Sequence, residues 1–203
     1  MGEQDYHQAI WQAYIKGDDN AFENLYKAYA SRLFIYGCNL TSDEALVKDA
    51  IQEIFLKLYQ KDKSLIDIHN IRSYLFVALR NHVRKSLHVR RNQFRHQKAY
   101  QELQPRNEFS LPVSPEETSP SSDEFMATLK TEVDQLPGRQ REVICLKFFE
   151  GFDYHEITSI MAIPYQVARN YVSRGMKRLR AQMAEEQAAG SGESGIRRSA
   201  ISG

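Results

Sequence analysis

The stretch IMAIPYQVARNYVSRGMKRLR, residues 160–180, decides how the second half of the chain folds. A proline interrupts a helical pattern just ahead of five basic residues with no acid among them. Proline tolerates the first turn of a helix and resists its interior, so Pro164 ends one connection and starts a new helix. That helix turns Val167, Tyr171, Val172 and Leu179 inward. It turns Tyr165, Gln166, Arg169, Asn170, Ser173, Arg174, Lys177 and Arg178 outward. Upstream, Asp153 stands at a helix N-cap with Glu156 three residues on, the spacing of a capping box. Phe152 and Ile157 occupy the two staple positions around it. A short capped helix ending near Met161, a tight turn and a basic helix form a helix-turn-helix, a layout that enters a DNA groove. Arg, Asn and Gln near the helix start can make paired bonds to base edges, while Lys177, Arg178 and Arg180 farther along suit phosphates. A solvated basic face on a core helix is the plainer alternative, and the capped helix in front of it weighs against that.

The chain has 203 residues, enough for one medium domain or two small ones, and its 42% hydrophobic content can fill a core. A net charge of +1 conceals segregation. Residues 80–98 are basic with no acid, whereas 43–67 and 116–134 lean acidic. Alternating blocks suit a protein that touches both DNA and another protein. Cys38 and Cys145 sit in apolar helical patterns and read as small buried hydrophobes in a reducing compartment. No apolar run reaches a membrane span of ~18 residues and no signal-peptide layout opens the chain, so a cytoplasmic protein is expected.

Helical spacing dominates the first half as well. A leading helix near residues 6–15 offers Ile10, Trp11 and Tyr14 to a core. Phe22, Leu25, Tyr26, Tyr29 and Leu33 mark the next. Leu46, Val47, Ala50, Ile51, Ile54, Phe55 and Leu58 form one apolar face, with Thr41 or Ser42 as cap. A further helix from about Ser73 to the high 80s buries Leu75, Ala78, Leu79, Val83 and Leu87. The joint KDKSLIDIHNIR between these last two has no period and reads as a loop. Residues 104–123 hold four of the six prolines with many serines and acids, the composition of a flexible linker. A second helical block follows, in which 139–149 buries Val143, Ile144, and Leu146 or Phe148. The fold expected is all-α: two small helical domains joined by a flexible linker, the second a helix-turn-helix. The boundaries are 5–100, a linker at 101–123, 124–184, and a disordered tail at 185–203.

Catalytic and metal chemistry find no support. His69, His82, His88 and His96 lack zinc-ligand spacing, and no Walker loop, nucleophile elbow or H-E-x-x-H occurs. No enzyme, cofactor or metal is expected.

Two further runs carry a resemblance. The first block contains D-x-x-Q-E-x-F as Asp49, Gln52, Glu53 and Phe55. The second contains the L-P-x-x-x-R-E-V-x-x-L run from Leu136, then an E-I pair inside the helix-turn-helix. In this order, and with such a linker between them, they resemble a bacterial RNA polymerase sigma factor of the housekeeping-type sigma family. The small two-domain extracytoplasmic-function (ECF) group fits best, and P-Y-Q-x-x-R-N looks most like Bacteroidetes-type members. The resemblance implies that Asp49, Gln52, Glu53 and Phe55 bind core RNA polymerase. It implies that His69 and Asn70, in the loop 67–71, hold a flipped promoter base. Arg72, Tyr74, Arg80, Asn81, Arg84 and Lys85 would contact the adjacent downstream promoter DNA. Tyr165, Gln166, Arg169, Asn170, Ser173, Arg174, Lys177 and Arg178 would bind the upstream element. Promoter DNA, core polymerase and an anti-sigma factor are the implied partners. The chain departs from the family at Ala162 where the turn often has glycine, at Pro164 where serine often starts the helix, at Val167-Ala168 where the family has a T-V pair, and at Gly175 where alanine is usual. The competing reading is a one-component helix-turn-helix regulator that binds operator DNA on its own.

Overall fold

A computed structural model of the chain describes residues 3–60, 68–98 and 131–193. The chain divides into two compact units, one built from Met1–Thr118 with Ser159–Met161 and one from Ser119–Thr158 and Ala162–Gly203. Among the described residues both units are helical and hold no strand.

The first unit begins with α1 (Glu3–Ile15), which buries Ile10, Trp11 and Tyr14 as their spacing predicts. Gly17 turns the chain at φ +107°, and the Asp18 carboxylate then accepts the Asn20 N–H at 3.0 Å to cap α2 (Asp19–Leu40). Leu25, Tyr29, Leu33 and Tyr36 of α2 lie in the core. Helix α3 (Glu44–Gln60) buries all seven residues of its predicted apolar face. Its cap, however, is Asp43 rather than Thr41 or Ser42. The Asp43 carboxylate accepts the Leu46 N–H at 2.9 Å, and Thr41 Oγ1 accepts the Asp43 N–H at 3.2 Å. Two linked caps satisfy more orphan donors than a single hydroxyl could. The Leu46 N–H, and after it the Arg90 guanidinium, hold the Asp43 carboxyl below its ordinary range.

Helix α4 (Ile71–Lys98) starts two residues earlier and runs longer than expected. Asn70 Oδ1 accepts the Ser73 N–H at 3.0 Å, which sets the start. The Arg90–Asp43 ion pair ties its later turns back to the cap of α3. Leu75, Phe76, Leu79 and Val83 are buried, while Ala78 and Leu87 are half-buried. α2 packs on α1, α3 and α4, and α4 also packs on α3 and α1. Each fully buried Leu, Ile or Phe contributes ~1.5–3 kcal/mol of hydrophobic free energy, so this shared core holds the unit together.

In the second unit residues 131–134 are helical and Leu136-Pro137 ends that element, as expected. Helix α5 (Gly138–Ile144) buries Val143 and Ile144. Its continuation, Cys145–Phe149, widens into a π turn, with the Glu150 N–H donating to the Cys145 carbonyl at 3.0 Å. The wider turn keeps Leu146 inside and leaves Phe148 and Phe149 outside, so Leu146 takes the core position. Burial pushes the Cys145 thiol up to about 12, consistent with an inert core residue. Helix α6 (Tyr154–Met161) has the predicted capping box, with Asp153 accepting the Glu156 N–H at 2.8 Å and Glu156 accepting the Asp153 N–H at 2.9 Å. The staple residues Phe152 and Ile157 are both fully buried.

Helix α7 (Tyr165–Glu193) follows Pro164, whose carbonyl accepts the Val167 and Ala168 N–H groups. It passes the expected boundary at 184, because AQMAEEQAA is rich in strong helix formers. Gly175 is explained by packing. α7 lies on α5, and a Cβ at position 175 would sit 3.0 Å from Ile144 Cγ1. The linker at 101–123, with Phe125, Met126 and Leu129, lies outside the described residues, as do 194–203.

Ala162 links α6 to α7 in the left-handed region, at φ 50° and ψ 54°. That conformation costs an L-residue about 1–2 kcal/mol and costs glycine almost nothing. Ala162→Gly should therefore raise unfolding free energy by about 1 kcal/mol net of glycine's chain entropy, as read by urea denaturation. No change, or a loss, would show that the turn carries no such strain.

Candidate nucleic-acid interface

All eight outward residues expected on the basic helix are exposed along α7: Tyr165, Gln166, Arg169, Asn170, Ser173, Arg174, Lys177 and Arg178. Val172 and Leu179 are buried opposite them, and Val167 and Tyr171 are half-buried. Ala168, fully buried, is a core position that its small side chain hid from the sequence pattern. Gln166 Nε2 donates to Asn170 Oδ1 at 3.3 Å, so the two amides are presented as a pair one turn apart.

The start of α7 is framed by residues that the sequence reading passed over. The Tyr165 ring lies 5.6 Å from Tyr154 in an edge-on arrangement and 5.1 Å from His155. Lys147 Nζ stands 5.0 Å from the Tyr154 ring centre. The available signal was positional: Tyr154 and Tyr165 are the first residues of the two helices that the turn joins.

On the first unit, Asp49 and Gln52 are exposed on the polar side of α3. Glu53 is half-buried, and its carboxyl is held low first by a hydrogen bond from Lys57. His82 Nε2 on α4 approaches the same carboxylate at 3.6 Å. Phe55 departs from the expectation. It is 3% exposed, with its ring 5.9 Å from Phe22 and 5.0 Å from Tyr26, so its side chain fills the core. The helix period explains this, since Phe55 falls on the stripe of Ile51, Ile54 and Leu58.

Along α4, Tyr74, Asn81, Arg84 and Lys85 are exposed as expected. Arg72 and Arg80 are not, at 5% and 1% exposed. They share one stripe with Phe76, at i and i+4 on either side of it, and that stripe faces the core. Arg72 Nε and one Arg80 Nη are buried within the unit. A groove of about 700 Å³ runs between α3 and α4, lined among others by Glu53, Lys57, Tyr74, Asn81, His82 and Lys85. Ahead of α4, His69 and Asn70 are exposed, with the Asn70 carboxamide oxygen engaged in the cap already described; Asp67 lies outside the described residues.

The burial of Arg80 and the exposure of Arg84 separate two effects. Arg80→Ala should lower unfolding stability by more than about 1 kcal/mol, whereas Arg84→Ala should stay within ~0.5 kcal/mol. Thermal unfolding of the two variants is the check, and equal stability would show that Arg80 holds nothing inside.

Residues 25–95 match sigma-70 region 2 and residues 127–179 match sigma-70 region 4. The chain is 25% identical over 158 residues to the RNA polymerase sigma factor SigZ of Bacillus subtilis, covering 78% of this chain and 84% of that protein. It is 26% identical over 171 residues to the RNA polymerase sigma factor CarQ of Myxococcus xanthus, covering 83% and 92%. Its fold is shared with the sigma factor RpoE of Bartonella quintana, solved with the anti-sigma factor NepR. There the TM-score is 0.62 at 21% identity, over 80% of this chain and 96% of that one. CnrH, solved with the cytosolic domain of CnrY, gives a TM-score of 0.53 at 16% identity, over 88% and 97%.

Proposed function

The chain belongs to the sigma-70 family as an extracytoplasmic-function sigma factor, and we propose how its own residues divide the work of that family. The protein binds core RNA polymerase and directs promoter-specific transcription initiation. In our reading Asp49 and Gln52, with the outer edge of Glu53, meet the polymerase from α3. His69 and Asn70 receive a promoter base at the entry to α4, and Tyr74, Asn81, Arg84 and Lys85 hold the strand beside it. On α7, Gln166, Arg169 and Asn170 read base edges of the upstream element in the first two turns. Lys177 and Arg178, two turns later, hold phosphates. An anti-sigma partner is part of the proposal, supported by the structural relative RpoE, solved with the anti-sigma factor NepR.

One observation carries this division: every expected reading residue of α7 faces water while the opposite face is buried. A promoter-variant library, assayed with holoenzyme at two salt concentrations, tests it. Arg169→Ala should cost roughly 1–3 kcal/mol and relax preference at particular upstream positions. Lys177→Ala should weaken all variants about equally and lower the salt dependence by about one charge. If Arg169→Ala weakens every variant equally and Lys177→Ala changes the preferred bases, the helix sits in the groove in a different rotation.

A further inference from the structure

The loop ahead of α4 is short where it is described, and both of its ends are held. On one side Trp11 Nε1 donates to the Ile68 carbonyl at 3.1 Å. On the other, Asn70 caps α4 through the Ser73 N–H, and the next residue, Ile71, is buried. Between these anchors stands His69, exposed. Trp11 is 1% exposed and belongs to α1, which precedes the segment matched to region 2. An indole has one donor, and a buried donor without a partner is costly, so the bond commits the ring and the loop carbonyl to each other.

From this we infer that Trp11 is a positioning residue for promoter opening: its indole N–H fixes the Ile68 backbone and thereby the direction in which His69 faces the DNA. The inference rests on the reading that the loop at 68–70 receives a promoter base. Trp11 itself touches no DNA. Its contribution is preorganisation, because a loop already held in its binding shape loses less freedom when a base arrives. The polymerase-facing side of α3 and the helix α7 make no use of this bond. Its loss should therefore spare polymerase binding and upstream recognition while reducing strand opening.

Trp11 is the chain's single tryptophan, so a tryptophan auxotroph fed a benzothienyl analogue changes this position alone. The analogue keeps the ring shape and lacks the N–H donor. Trp11→Phe, which also lacks the donor but is smaller, is the second variant, and His69→Ala tests the underlying reading. Holoenzyme is assembled with each, and two quantities are measured: affinity for core polymerase, and permanganate reactivity of unpaired thymines at a cognate promoter per holoenzyme bound. The analogue and Trp11→Phe should each reduce opening about three- to tenfold, the size of one lost hydrogen bond, with polymerase affinity within about twofold. If His69→Ala reduces opening and both Trp11 replacements leave it intact, the inference is wrong and the base-holding loop stands. If the Trp11 replacements reduce opening and His69→Ala does not, Trp11 acts by some route other than His69, and both the base contact and the inference built on it fall. Loss of polymerase affinity in step with opening would mark Trp11 as a plain core residue and overturn the inference.

Discussion

A helix that buries one stripe in a core leaves the opposite stripe in water, and the surfaces of both units follow from that division. On α3 seven apolar residues fill the buried stripe, so Asp49 and Gln52 have nowhere to point but outward. On α7 the buried positions Ala168, Val172, Gly175 and Leu179 set the rotation that exposes Arg169, Asn170, Ser173 and Lys177. The same rule takes residues away from function. Phe55, Arg72 and Arg80 carry chemistry that suits a partner, yet their register places them in the core. Among the described residues, then, which face is buried decides which charges can do work.

The join between α6 and α7 applies a second constraint to the recognition helix. The capping box fixes where α6 begins, Ala162 turns the chain in a left-handed conformation, and Pro164 supplies the first carbonyl of α7. The Tyr154, His155 and Tyr165 rings then meet across the turn. Helix starts held this firmly present Gln166 and Arg169 from a defined point, as the proposed base reading by paired hydrogen bonds requires.

Much of this was legible in the residue pattern. The capping box at Asp153 and Glu156 and the apolar face of α3 are local signals, set by spacing within a few turns, and the structure repeats them. Thr41 and Ser42 are good cap residues by type, yet Asp43, one or two residues on, makes the cap, and its carboxylate also meets Arg90 from a distant turn. The burial of Arg72 and Arg80 was missed because basic residues on a helix read as surface, and only the packing of α4 on its neighbours tells otherwise. The π turn after Ile144 has no sequence period of its own. The bond from Trp11 to Ile68 joins residues far apart in the chain, and a pattern read along the sequence cannot register it.

On the proposed division of roles, the factor brings modest DNA contacts and depends on the polymerase to combine them. Joined in one assembly, two weak contacts gain from effective concentration. The direct measurement is equilibrium binding to a promoter-variant set, by the isolated chain and by the chain with core polymerase, at one salt concentration. The account predicts weak, nearly uniform binding by the chain alone and clear discrimination among variants by the holoenzyme. Tight, sequence-selective binding by the isolated chain, as a dimer on a palindromic site, would contradict it.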